Sequence, residues 1–81
     1  MMITADALKT LVSFSPRGLS DALHHSGYTG AFFKSSEFLG ITNSGEFCYS
    51  VTFPDENGEG DAVGKVFLTY DPTDNKVSAE Y

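Results

Sequence analysis

The chain has 81 residues, one Cys and a formal net charge of −6. That length is one domain, and it buries only about 60–65% of its unfolded surface, so its core is thin. A lone Cys48 excludes an intrachain disulfide, and no apolar run approaches the roughly 20 residues that span a bilayer.

The N-terminal stretch Met1–Asp6 lacks a basic segment followed by an apolar one, so no secretory signal is expected and a cytoplasmic location is the expectation. Thr4 suits the N-cap of a first helix, with Asp6 in its first turn and Ile3 and Leu8 at staple positions. Leu8, Leu11 and Val12 follow at helical spacing, which predicts a helix from Ala5 to about Ser13. Ser15-Pro16 signals a second N-terminus, with Phe14 and Leu19 again at staple positions. Gly18 weakens that helix by about 1 kcal/mol relative to Ala, which leaves a start at Ser20-Asp21 open. Leu19, Ala22 and Leu23 form its apolar stripe, and Ser26-Gly27 should end it, with Gly27 as the left-handed cap. Both helices are too short to persist alone and must dock on something.

Gly27–Gly30 reads as a linker. The stretch from Ala31 to Thr42 reads as a strand, or two strands with a break. Phe33, Leu39 and Ile41 share one parity and Phe32 and Phe38 the other, so a bulge is expected near Ser35-Ser36. Asn43-Ser44-Gly45 is a turn. From Phe47 to Phe53 every odd position is large and apolar, which puts Phe47, Tyr49, Val51 and Phe53 on one strand face. Ala62, Gly64, Val66, Leu68 and Tyr70 form the matching face of the next strand. Between them lies Pro54–Gly60, where Asn57-Gly58 is a strong type I′ hairpin signal and Pro54 closes the first strand. Asp71–Asn75 is a further turn, and Val77, Ala79 and Tyr81 alternate in a short last strand. The sum is an α+β fold: two short N-terminal helices packed on a four-stranded antiparallel β-meander, a two-layer sandwich spanning residues 1–81 as a single small acidic domain. A small, partly closed barrel is the rival.

Charge is segregated along the chain. Residues 1–40 hold three acids and three bases, whereas residues 41–81 hold eight acids and two bases. An acidic half argues against direct binding of nucleic acid and of anionic membranes, and favours a partner protein with a basic surface.

The candidate chemistry is sparse. Asp55–Asp61 places oxygen ligands at loop positions like those of a calcium-binding EF-hand. Val66 stands where the bidentate Glu belongs, however, and strands flank it, so a solvated turn is the preferred reading. His24 and His25 point about 100° apart on a helix and do not converge on one metal, which favours a capping or surface role. Cys48 has acidic or neutral neighbours and reads as inert. No metal site, cofactor or catalytic group is assigned, and the chain reads as non-enzymatic.

Phe67 and Val63 fall on the face opposite the apolar set, where partner contact and simple burial, under the first strand, the N-terminal segment or the two helices, are both open. The expected partner-binding residues are therefore Glu46, Asp55, Glu56, Glu59, Asp61, Phe67, Asp71 and Asp74. The function expected from them is a small protein-binding module. Its partner would be a basic, nucleic-acid-handling protein, occluded by charge mimicry, in analogy with small acidic inhibitors of phages and mobile elements. The alternatives are a small-ligand module with Tyr28, Phe32, Phe38 and His24 around an aromatic pocket, or a self-associating subunit that pairs through its last strand.

Overall fold

A computed structural model describes residues 4–28, 32–55 and 60–81. The order of elements is α1 (Ala5–Leu11), α2 (Pro16–His25), β1 (Ser35–Ile41), β2 (Phe47–Pro54), β3 (Asp61–Asp71) and β4 (Lys76–Glu80). The four strands form one antiparallel sheet in the order β1-β2-β3-β4, and the sheet is open rather than a barrel.

Both helices start where their caps stand. The Thr4 hydroxyl accepts from the Ala7 amide at 3.2 Å, and the Ser15 hydroxyl accepts from the Gly18 amide at 3.0 Å. The second helix therefore begins at Pro16, not at Ser20. The Ser15 cap and the preset φ of Pro16 outweigh the propensity cost of Gly18. The first helix is shorter than predicted, ending at Leu11 with Val12 as its C-cap. The Ile3 half of the first staple lies outside the described residues, and Leu8 is exposed.

The central hairpin keeps the predicted alternation. Tyr49 pairs with Val66, Val51 with Gly64 and Phe47 with Leu68, all on one face. The Asn57-Gly58 turn lies outside the described residues, and the loop closes where the Asp55 amide donates to the Gly60 carbonyl at 3.2 Å.

β1 departs from expectation in two ways. It begins only at Ser35, so Phe33 lies before the strand. Its bulge falls between Phe38 and Gly40 rather than at Ser35-Ser36. Phe38 opposes Tyr49 and Ile41 opposes Phe47, so the extra residue Leu39 returns the chain to the same face after three steps instead of two. Gly40 makes this possible, because its φ of +149° is one that side chains rarely adopt.

The helices cover one sheet face only. Leu11, Leu19 and Leu23 meet Phe47, Tyr49, Val51, Val66, Leu68 and Ala79 in a single buried cluster. Burial of these side chains is what holds two helices too short to stand alone. At the far end of the same face, Phe33 stacks on Tyr81 with centroids 6.2 Å apart, and Phe53 meets both rings edge-on. These rings close the part of the core beside Gly64, where Tyr81 lies across the strand.

Candidate interaction surface

The face away from the helices has no second layer among the described residues. The register arranges it in rows across the sheet. Ser35, Thr52 and Val63 form one row, and Glu37, Ser50 and Lys65 the next. Gly40, Cys48, Phe67 and Glu80 form a third. Val63 is 70% exposed, whereas Phe67 and Cys48 are half-buried by their strand neighbours. Alternation puts Val63 and Phe67 on this face, and the helices lie on the other one.

The acidic residues do not form one cluster. Glu46 sits in the β1–β2 turn, and Asp71 and Asp74 sit at the β3–β4 turn, so all three lie at one end of the sheet. Asp55 and Asp61 lie at the other end, a β2 length of about 25 Å away. Glu56 and Glu59 lie outside the described residues. Phe67 stands between the two ends on the open face.

Several of these carboxylates already hold local structure. The Glu46 amide donates to the Thr42 hydroxyl at 3.1 Å, and that hydroxyl donates to the Glu46 carboxylate at 3.5 Å. Asp71 accepts the Thr73 amide at 2.9 Å and so builds the turn. Asp61 pairs with Lys34 at 3.0 Å, with both side chains about half exposed. Such a pair contributes about 1 kcal/mol at most. Asp74 is exposed.

The aromatic pocket expected between the layers does not assemble from its expected residues. Phe38 packs on Tyr49 and Phe47, with ring centroids 5.2 and 6.3 Å away. Phe32 is exposed, and so is His24, whose ring lies 6.2 Å from that of His25. Tyr28 instead borders an open groove of about 540 Å³ along β4, together with His25. Sequence reasoning missed this groove because it depends on where the end of α2 meets the sheet. The one signal for it was the Ser26-Gly27 cap, which fixes that meeting.

Among the described residues no three His, Cys, Asp or Glu side chains gather as a metal site, and no helix is long and apolar enough to cross a membrane. No family model, no curated protein and no solved structure matches the chain.

Proposed function

We propose that this chain is a non-enzymatic protein-binding module that docks a partner with a basic surface on the uncovered face of its sheet. One observation carries the reading: a two-layer fold leaves one sheet face open, with Val63 and Phe67 on it, in the half of the chain that holds eight acids and two bases. An apolar centre gives the contact its buried area, and acids around it give steering and register. Glu46, Asp71 and Asp74 at one end and Asp55 and Asp61 at the other are the flanking charges. Lys65 on the same face supplies a contrasting charge that fixes the orientation of the partner.

In its narrower form the partner handles nucleic acid. The chain then acts as an inhibitor of the phage or mobile-element kind, occupying the partner's phosphate-binding surface.

The test places a photo-crosslinking residue at Val63, and in a control chain at the exposed Asp21 of α2, in lysate of the source organism or its host. The expected result is capture of a basic protein from position 63 alone, lost at high salt. Capture abolished by added duplex DNA supports the narrower form. Equal capture from both positions, or none from either, overturns the docking surface.

A further inference from the structure

The C-terminus of α2 is built against the free edge of the sheet. The Tyr28 amide donates to the Leu23 carbonyl at 2.9 Å and the Gly27 amide to the His24 carbonyl at 3.1 Å, with Gly27 at φ +100°. This paired-bond cap turns the chain sharply and leaves Ser26 and Tyr28 beside β4. The Ser26 hydroxyl accepts the Ala79 amide at 2.9 Å. The Ala79 amide therefore points away from β3. In an antiparallel ladder outward-facing residues alternate, so the Val77 amide and carbonyl point outward too. Ser26 satisfies the edge at Ala79 in the way a neighbouring strand's carbonyl would, and among the described residues β4 has no strand beyond it.

The groove of about 540 Å³ lies along this edge, bordered by His25, Ser26, Tyr28, Lys76, Ser78 and Glu80. Its lining holds one base, Lys76, and one acid, Glu80, so it lacks the acidic excess of the chain as a whole. Lys76 is one of two bases in residues 41–81. The ion pair present among the described residues joins Lys34 and Asp61, so it does not involve Lys76. The cross-strand neighbour of Lys76, Asp71, accepts the Thr73 amide. His25, Ser26, Tyr28 and Ser78 add donors, and the one carboxylate, Glu80, stands four residues along β4, about 13 Å from Lys76.

We propose that this groove takes an extended segment of a partner polypeptide that pairs with the Val77 edge and sets a carboxylate side chain between Lys76 and His25. Backbone pairing gives an extended peptide its affinity, and the side-chain contacts select among sequences. Glu80 repels a carboxylate at its own end of the groove; at the other end Asp71 is held in the β3–β4 turn by the Thr73 amide, and the contact with Lys76 and His25 has to outweigh its charge. Thr69, Ser78 and Glu80 share the outer face with Phe67, so the groove opens at the β4 margin of that face, and what sets this site apart from the docking surface above is the pairing with the Val77 backbone edge.

The experiment is a titration of the ¹⁵N-labelled full chain, read by amide shifts. The probes are a capped Val/Thr peptide with one central Asp, the same peptide with Lys in its place, and acetate. The expected result is shifts centred on Val77, His25 and Tyr28, with the Asp peptide binding about tenfold more tightly than the Lys peptide. The exposed substitution Lys76→Glu should invert that preference. Equal binding of both peptides, an unchanged preference in Lys76→Glu, shifts centred on Val63, or the same shifts from acetate alone would each overturn the proposal.

Discussion

The Tyr49 hydroxyl donates to the Leu11 carbonyl at 2.5 Å and accepts the Phe14 amide at 3.0 Å, so a strand residue holds both sides of the joint between the helices. Tyr49 is 1% exposed, so both bonds are made at a buried hydroxyl. Replacing Tyr49 by Phe keeps the ring packing against Phe14 and Phe38 and removes both bonds. The expected loss is about 1–3 kcal/mol, because two backbone groups are left unpaired. Urea unfolding should show a lower midpoint with an unchanged slope.

The same hydroxyl gives the fold an alkaline limit. Burial pushes the Tyr49 phenol above its ordinary 10.0, and the bond from the Phe14 amide only partly offsets this. A raised folded pKa means that the native state keeps its proton while the unfolded state loses it. This stability is fully present below about pH 10 and is lost as pH rises through the folded value. The difference in unfolding free energy between wild type and Tyr49→Phe should therefore be constant from pH 7 to about pH 9 and shrink above about pH 10. A difference that stays constant into that range would exclude the linkage.

Gly64 and Tyr81 are fitted to one another. A Cβ at Gly64 would stand 2.7 Å from the Tyr81 hydroxyl oxygen and 3.2 Å from a Phe53 ring carbon. Gly64→Ala alone should be destabilising by about 1–2 kcal/mol, because the Tyr81 ring must leave its stack on Phe33. In a Tyr81→Ala background the 2.7 Å clash is gone, and the Phe53 ring, 3.2 Å away, is free to shift into the space that Tyr81 vacates. Gly64→Ala should then be neutral or stabilising by about 0.5 kcal/mol, through the lower chain entropy of Ala. A double-mutant cycle by thermal unfolding reads the coupling directly.

The legible parts of this fold were those written in local chemistry. The alternation from Phe47 to Phe53, the caps at Thr4 and Ser15 and the glycine stop at Gly27 each carry their signal within a few residues, and each stands as expected. The bulge was legible as a parity conflict but not in its position. Phe33 belongs to the aromatic cluster rather than to β1, and only Gly40 tolerates the backbone needed at the observed site. The Tyr49 hydroxyl bonds, the Tyr81 stack over Gly64 and the β4 groove depend on pairs more than ten residues apart. No periodicity records such pairs. The acidic residues were legible as an excess but not as two groups, because the meander alternates its turns between the two ends of the sheet.

Ser26 guards the Ala79 amide. Ala79 is buried at the sheet edge, and its amide has the Ser26 hydroxyl as acceptor at 2.9 Å. Ser26→Ala removes that acceptor while leaving the Gly27 turn in place. Hydrogen exchange at the Ala79 amide should accelerate by about tenfold, while the amides of β2 keep the protection of global unfolding less about 1 kcal/mol. The bared edge should also raise the tendency to self-associate, which sedimentation at rising concentration would record.

Val63 and Val66 test the two faces of the sheet within one strand. Val66 is fully buried opposite Tyr49, whereas Val63 is 70% exposed opposite Thr52. They stand three positions apart in β3, and that odd spacing puts them on opposite faces. Val66→Ala should cost about 2–3 kcal/mol, from lost burial and the cavity left between Leu68 and the helices. In an 81-residue domain that lowers the melting temperature by roughly 8–20 °C. Val63→Ser should move it by less than about 0.5 kcal/mol, the range of surface substitutions. Comparable losses at both positions would show that a second layer covers the outer face, and the docking surface proposed there would go with it.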